Sequence, residues 1–289
     1  AAASASELVA EEVDEDDEYE SDQRRDADQL LRTSLAGVVG MLMEVHGPHF
    51  SQWGLQLFVP IVEDCLAHGR SASDRCLALH LAGDAVEKLG EESVQLWPHF
   101  MAHALDAIVD EDSWVRQASA YAVLRSSPCP AFAEFAAAAA GRLAQAVSHP
   151  KANHEGNKEA TEAATAALGR VCRQHAGSVS GVDAHLLVFL NGLPLVQDLE
   201  QAASTHELLM EFVRESHPLL QEHAGKVCEV FLEIYGREAL SSDTLNEAIR
   251  ALLLEIGEER LRQMQPPFSE KHKKRIVKIL RDARESALN

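Results

Sequence analysis

Histidines and cysteines are the residues of this chain that first suggest metal or nucleophilic chemistry: it has 14 histidines and five cysteines. The His-Glu-x-x-His zinc pattern is absent, and no group of histidines and cysteines has the spacing of zinc ligands. The cysteines lack a matching His/Asn pattern, and the Gly-x-Ser-x-Gly, Gly-x-Gly-x-x-Gly and P-loop motifs are missing. The sequence therefore predicts a protein that is not an enzyme and that needs no metal or cofactor.

Two His-Glu dipeptides keep one enzyme alternative open. They are His154-Glu155, in a predicted loop, and His206-Glu207, in a predicted helix. Deoxyhypusine hydroxylase, an iron enzyme with HEAT-like repeats, binds its metal through a larger set of equivalent His-Glu positions. Because only two dipeptides are present, and they fall in different kinds of element, we expect the metalloenzyme interpretation to fail.

Carboxylates are the other groups whose spacing suggests a function. Glu207, Glu211 and Glu215 recur every four residues, which places them in one row on a helix. We predict that this row binds a basic protein; the alternative is an ordinary solvated helix face. Trp53, Trp97 and Trp114 could anchor a partner in the same way, but a packing role is the expected one.

The first part of the chain is strongly acidic. Residues 1–28 hold twelve acids against Arg24 and Arg25, a local charge of -10 within a chain of net charge -20. An acidic body repels nucleic acid and attracts basic proteins, so the predicted partners are basic proteins and not nucleic acid. Residues 1–26 contain too few apolar side chains to fold alone, which predicts a disordered or loop segment. The acids predicted to bind protein in this segment are Asp14, Glu15, Asp16, Asp17 and Glu18.

The sequence also indicates the cellular compartment and whether the chain spans a membrane. The longest apolar run, LAGVVGMLMEV, is interrupted by Glu44 and is too short to span a bilayer. The five cysteines are scattered without a Cys-x-x-Cys pair, which is typical of reduced thiols in the cytosol or nucleus. The sequence opens on Ala1 without Met and without a signal-peptide pattern, so we expect a processed fragment that carries no signal peptide.

Helices must position these residues. Ala, Leu and Glu dominate, with only 10 prolines and 16 glycines, which favours an all-helical protein. Helices are predicted in pairs, and the second helix of each pair recurs at roughly 40–46 residues, the period of HEAT or armadillo arrays. The predicted second helices start near Asp28, Asp74, Ser113, Glu159, Glu200 and Thr244. The predicted first helices cover about 51–68, 94–110, 130–148, 183–197 and 218–236.

The predicted fold class is therefore all-α, a right-handed α-solenoid of about six HEAT-type helical hairpins. The array covers residues 27–267, and residues 268–289 form a basic amphipathic C-terminal capping helix. Residues 269–289 hold seven Lys/Arg against three acids, so a free basic tail is the alternative. The apolar positions Ile276, Val277 and Ile279 favour the cap because their spacing is helical.

The stretch DEDSWVRQASAYAVL, residues 110–124, shows one helix start in detail. Asp112 or Ser113 can serve as the N-cap, with a side-chain oxygen that accepts a free backbone amide. Val115, Ala118 and Ala122 then fall on one face, where the small side chains let another helix approach closely. The segment is predicted to be the second helix of a tightly packed pair.

At this point the order of segments resembles a known family. An acidic EDDEYE segment is followed by QWGLQLFVPIVEDC, SDRCLALHLAGDAVE, DSWVRQASAYAV and NKEATEAATAALGRV. This order is similar to the C-terminal part of karyopherin-β nuclear transport receptors, most of all the importin branch that carries ribosomal proteins and histones. In the HEAT pattern of that family, Asp112, Val115 and Arg116 match the Asp and Val-Arg positions. Arg75 matches the Arg position only.

The resemblance implies a HEAT solenoid that wraps cargo on its concave surface and releases it to Ran in the GTP state. It implies basic cargo, such as ribosomal proteins and histones, and contact with Ran and Phe-Gly nucleoporins through the full-length receptor. It also implies shuttling between cytoplasm and nucleus through the nuclear pore. The family's strongest Ran contacts lie in N-terminal repeats that this sequence does not include. The alternative is a HEAT-repeat scaffold subunit of another complex, similar to a phosphatase scaffold.

Overall fold

The computed structural model describes residues 15–264 and 267–286, and its side chains are described over 27–264 and 267–281 apart from residues 29, 48 and 51–55. Across these ranges the chain forms helices joined by short turns, and no strand is present. The predicted all-α solenoid is confirmed. None of the described helices is long and apolar enough to cross a membrane.

Thirteen α-helices run through the described residues. In chain order they are α1 Glu15–Leu66, α2 Ala72–Leu89, α3 Met101–Ala107, α4 Ser113–Ser126, α5 Ala136–Val147, α6 Lys158–Gln174, α7 Val182–Asn191, α8 Leu199–Arg214, α9 Pro218–Glu222, α10 Ala224–Ile234, α11 Asp243–Ile256, α12 Glu258–Gln263 and α13 Glu270–Ser286. Short 3-10 helices cover Gly90–His99, Pro130–Glu134 and Glu155–Asn157. Helices α2, α4, α6, α8 and α11 begin within two positions of the predicted second-helix starts.

Helix α1 differs from the expected pattern at both its start and its middle. It begins at Glu15, inside the segment predicted as disordered or loop, while Asp14 and the residues before it lie outside the described part of the chain. A kink at His46 (φ -118°, ψ 23°) divides it, between the predicted second helix that starts near Asp28 and the predicted first helix over about 51–68. The part before the kink packs beside α2 as a second helix, and the part after it precedes α2 as a first helix.

Side-chain caps mark the starts of α2, α8 and α11, whereas α6 begins without one. Ser71 and Asp74 form a capping box at α2, Asp198 accepts from the Gln201 amide at α8, and Ser242 accepts from the Leu245 amide at α11. Each side-chain oxygen satisfies a backbone N–H that would lack a partner in the first turn of the helix. The first helices start less sharply because 3-10 turns that contain Pro98 or Pro130 precede α3 and α5.

The hydrophobic core runs continuously along the stack of helical pairs. Small residues let the helices approach closely: a Cβ at Gly169 of α6 would lie 2.4 Å from the Phe189 ring of α7. At the far end α13 buries Ile276 and Ile279. Val277, which the sequence placed on the same apolar side, is 53% exposed because it faces away from that contact. A capping role for this helix remains a prediction.

Candidate functional site

The second helices form one continuous layer. The part of α1 before His46 packs on α2, α2 on α4, α4 on α6, α6 on α8, and α8 on α11. We call the solvent-facing side of this layer the second-helix surface. Close packing depends on small residues: a Cβ at Gly40 would lie 2.8 Å from Asp84 Oδ2, and a Cβ at Gly83 would lie 3.5 Å from the Ala122 Cα.

Ion pairs join neighbouring second helices at three places in the stack: α1 with α2, α2 with α4, and α6 with α8. In each pair a basic side chain of one helix meets an acidic side chain of the neighbouring second helix, about one repeat away in sequence. The pairs are Arg32 with Asp74, Lys88 with Glu44, Arg125 with Asp84, and Arg173 with Glu215. These side chains are partly exposed, so each pair contributes about 1 kcal/mol or less and serves mainly to fix the lateral register of the helices.

The predicted acidic row is exposed, but it has internal partners. Glu211 Oε2 lies 3.7 Å from Arg173 Nε, and Glu215 forms an ion pair with the same guanidinium. Glu207 accepts a hydrogen bond from the Ser242 hydroxyl at 2.7 Å. The row therefore holds three carboxylates against one guanidinium. The sequence analysis missed Arg173 because it lies 42 positions before Glu215, and only the stacking of α6 on α8 brings the two together.

Arg173 also contacts an aromatic ring. Its guanidinium carbon lies 5.9 Å from the centroid of the Phe212 ring, within the range of a cation–π interaction. The ring is buried and the carboxylates are exposed. Arg173 is thus held between the apolar and the acidic sides of α8.

The repeat-signature residues meet at the turn between α3 and α4. Asp112 is the N-cap of α4, and its Oδ1 accepts from the Trp114 and Val115 amides at 2.9 and 3.3 Å. Val115 is fully buried. Arg116 donates to the Asp110 carbonyl at 2.8 Å and to the Glu111 carbonyl at 2.9 Å.

The same cluster ties adjacent pairs together. Arg116 also donates to the Asn157 side-chain oxygen just before α6. Arg75 of α2 donates to both Asp110 oxygens at 3.0 and 3.1 Å. The contacts of the signature residues therefore link α2, the turn before α4 and the start of α6.

Two buried carboxylates hold the start of α8 against α4 and α6. Glu162 Oε2 of α6 accepts three backbone N–H groups, from Val196 at 2.9 Å and from Gln197 and Asp198 at 2.8 Å each. Asp198 Oδ2 accepts from the Tyr121 hydroxyl of α4 at 3.0 Å. Burial raises the pKa of Asp198 to about 6.

A groove opens beside this contact. It has a volume of about 570 Å³, and it lies among the end of α2, the face of α4, the end of α6 and the start of α8. Five charged side chains line it: Glu87 and Arg125, which form an ion pair with each other, and Glu91, Arg170 and Glu200. A second groove of about 620 Å³ shares Pro128, Pro130, Arg170 and Gln174 with it. Charges of both signs are thus available to a bound protein segment.

The acids of the N-terminal segment are only partly placed. Asp14 lies outside the described residues. Glu15, Asp16, Asp17 and Glu18 belong to the first turns of α1, and their side chains are not among those described.

The tryptophans have different environments. Trp97 is 2% exposed and packs edge-on against Phe132, with 6.3 Å between ring centroids, which is a core role. Trp114 is 52% exposed at the start of α4, so the expected packing role is wrong for this residue. Trp114 is the second residue after the N-cap Asp112, and its side chain faces solvent while that of Val115 is buried. The side chain of Trp53 is not among those described.

The histidines of the two His-Glu dipeptides differ in burial: His206 lies in the core and His154 is exposed. His206 is fully buried: its Nδ1 donates to the Leu240 carbonyl at 2.8 Å, and its Nε2 accepts from the Leu195 amide at 3.1 Å. Both ring nitrogens are therefore occupied. His154 is exposed before α6. Among the described residues no group of three or more His, Cys, Asp or Glu side chains could hold a metal ion, and the five cysteines are free thiols.

The chain is similar to known proteins both in sequence and in fold. No protein-family model matches the chain. Importin subunit beta-3 of Saccharomyces cerevisiae is 22% identical over 183 residues, which are 61% of this chain and 17% of that protein. Kap121p bound to RanGTP has a TM-score of 0.71 at 17% identity, over 91% of this chain and 24% of that chain. A mutant of Kap121p gives a TM-score of 0.67 at 18% identity, over 90% and 24%.

The stacked helical pairs define a helical-repeat solenoid. The chain is thus similar in sequence and in fold to proteins of the karyopherin-β family. It spans about one sixth of the length of the curated relative and about one quarter of the solved chain. The chain therefore resembles one section of an importin.

Proposed function

We propose that this chain is the section of a nuclear import receptor that binds basic protein cargo on its second-helix surface. The observation that carries the proposal is acidic charge left uncompensated on that surface. Glu91 and Glu200 line the groove, and neither forms an ion pair among the described residues. The row of Glu207, Glu211 and Glu215 keeps two of its three charges after pairing with Arg173.

The net charge of the whole chain also supports a basic protein as the partner. The chain carries a net charge of -20. Exposed charges act over about 8–10 Å at physiological salt, so an acidic surface raises the rate at which a basic protein arrives rather than its residence time. We infer that ribosomal proteins and histones are cargo, and that the acids at Asp14 to Glu18 add to their attraction.

The rest of the transport cycle belongs to the full-length receptor. Kap121p has been solved with RanGTP. We infer that the longer protein containing this chain binds Ran and Phe-Gly nucleoporins and shuttles between cytoplasm and nucleus. An exposed apolar stripe on α1 supports a longer array, because it would be covered by a preceding helical pair. The stripe is Leu31, Leu35, Val38, Leu42 and Val45.

The experiment is association kinetics with a basic histone-tail peptide at low and moderate salt. The variant Glu207→Gln/Glu211→Gln/Glu215→Gln should slow association severalfold at low salt, with little change in dissociation. The matched control removes the same charge from three exposed acids outside the row: Glu134→Gln/Glu222→Gln/Glu238→Gln. Equal association rates for both variants and the wild type would reject the acidic row as a binding surface. No binding of the peptide to any form would reject the proposed function.

A further inference from the structure

Arg170 of α6 stands apart from the other arginines of the second-helix surface. Arg125 and Arg173 each pair with two carboxylates. Arg170 is half-buried, and within the described part of the chain it forms neither a hydrogen bond nor an ion pair. Because this guanidinium has no carboxylate partner among the residues that the structure describes, an anionic group from outside can form a charge-assisted hydrogen bond with it.

The position of Arg170 is suited to such a group. It lines both grooves, at the place where they meet between Pro128 and Gln174. Gln174 is exposed at the end of α6, and its amide can both donate to and accept from a peptide backbone. Val86 and Leu124 provide apolar lining in the larger groove.

Charge of the opposite sign lies along the same groove. Glu91 follows the end of α2, and Glu200 lies in the first turn of α8. The one hydrogen bond that the described residues give Glu200 comes from the neighbouring Gln201 side chain at 3.3 Å. Both carboxylates are therefore available to a cation, on the same surface as the available guanidinium.

We propose that the joined grooves hold an extended segment of a cargo protein in which an acidic side chain contacts Arg170 and a nearby basic side chain contacts Glu91 or Glu200. This inference rests on the proposed function and makes it more specific. Uniformly basic segments would place a cation against Arg170. The surface would therefore select mixed-charge segments from among basic proteins, by adding a repulsive contact to an attractive one.

The test uses fluorescein-labelled peptides in one Ala/Ser background, read by fluorescence anisotropy on the whole chain. Each peptide carries one lysine and, at a range of spacings from it, aspartate, asparagine or a second lysine. At the best spacing the aspartate peptide should bind the wild type about fivefold more tightly than the asparagine peptide, as expected for a partly exposed ion pair.

The protein variants separate the two contacts. Arg170→Ala should abolish the aspartate preference, and Arg170→Glu should reverse it in favour of the second lysine. Glu91→Gln/Glu200→Gln should weaken all lysine peptides while keeping the aspartate preference. Arg260→Ala, at an exposed arginine on α12 outside both grooves, should change nothing.

The outcomes are distinct from those of the proposed function. Wild-type protein that binds the histone-tail peptide but does not distinguish aspartate from asparagine at any spacing would overturn the mixed-charge groove and leave basic cargo binding intact. An Arg170→Glu variant that keeps the wild-type order of affinities would overturn the groove in the same way. Failure of the histone-tail peptide to bind at all would instead reject the function on which the groove depends.

Discussion

The Tyr121 hydroxyl donates to the Asp198 carboxylate at 3.0 Å, although the two residues are 77 positions apart in the chain. This contact joins the face of α4 to the N-cap of α8, and it skips the intervening second helix α6. Asp198 is 5% exposed, and its other oxygen accepts from the Gln201 amide at 3.2 Å. A buried carboxylate thus fixes the angle at which α8 enters the stack.

Replacing Asp198 should change how stability depends on pH. Burial raises the pKa of Asp198 to about 6 in the folded protein, whereas the unfolded value is about 3.9. The folded state keeps a proton that the unfolded chain releases, so this contribution to stability is present below about pH 4 and is lost as the pH rises through about 6. In Asp198→Asn the free energy of unfolding should decline less between pH 4 and 6 than in the wild type. The difference should be roughly 3 kcal/mol at most.

Urea unfolding at several pH values measures this effect. Glu134→Gln, at an exposed carboxylate, is the control and should follow the wild type. If Asp198→Asn loses stability between pH 4 and 6 as steeply as the wild type, then Asp198 is not the titrating group.

His80 of α2 should make the protein less stable as the pH falls, which is opposite to the effect of Asp198. Burial, with a smaller effect of the nearby Arg125 charge, lowers the pKa of His80 to about 4. Its contribution to stability is present above the unfolded value of about 6.5 and is lost as the pH falls toward 4. His80→Gln should therefore resist acid better than the wild type, by up to roughly 3 kcal/mol. His154→Gln, in the exposed loop, should leave the unfolding profile unchanged, and identical acid transitions for both variants would contradict the assignment.

The Asp112 cap and the Arg116 bonds should be measurable in the denaturant midpoint. Asp112→Ala removes the acceptor for two amides at the start of α4 and should cost about 0.5–2 kcal/mol. Arg116→Ala leaves the Asp110 and Glu111 carbonyls without their charged donor and should cost about 1–3 kcal/mol. Glu111→Ala, which removes an exposed carboxylate between them, should cost little. Midpoints equal to the wild type for the first two variants would show that the signature does not hold the repeats together.

Much of the fold could be predicted because its determinants are local. The starts of α4 and α11 follow from single capping residues and from apolar positions spaced for one helix face. These signals lie within a few residues of each other, so the sequence displays them directly. The recurring interval between second helices then predicts the stacking without any knowledge of long-range contacts.

The remaining features depend on contacts between repeats. The acidic row looks free in the sequence because Arg173 belongs to the preceding second helix. The groove is equally invisible, since Glu91, Arg170 and Glu200 come from three different elements. The helix from Glu15 also runs against the local composition, which is too polar to predict an ordered element.

Close packing of α6 on α7 gives a test that involves no charge. A Cβ at Gly169 would lie 2.4–2.9 Å from atoms of the buried Phe189 ring. Gly169→Ala should therefore destabilise the chain by about 1–3 kcal/mol through overpacking. Gly141 of α5 has no atom within 4 Å of a built Cβ, so Gly141→Ala should be neutral or stabilising by up to about 1 kcal/mol. Equal thermal midpoints for the two variants would contradict the packing argument.

Arg173 gives the most direct test of whether compensated charge limits cargo association. It pairs with Glu211 and Glu215, so Arg173→Gln should expose the full charge of the acidic row. If that row steers basic cargo, association with the histone-tail peptide should be faster than in the wild type, and the gain should shrink as salt rises. The loss of a partly exposed ion pair should cost no more than about 1 kcal/mol of stability, so the fold is retained.

The control must change net charge equally while sparing the row. Arg260→Gln does this, since Arg260 is exposed on α12 and outside α6 and α8. Stopped-flow association at low and moderate salt separates the two explanations. Equal acceleration in both variants would assign the effect to net charge alone. A slower rate for Arg173→Gln would mean that the guanidinium itself contacts cargo. Faster association confined to Arg173→Gln is the expected result, because only there do the Glu211 and Glu215 carboxylates lose their internal partner.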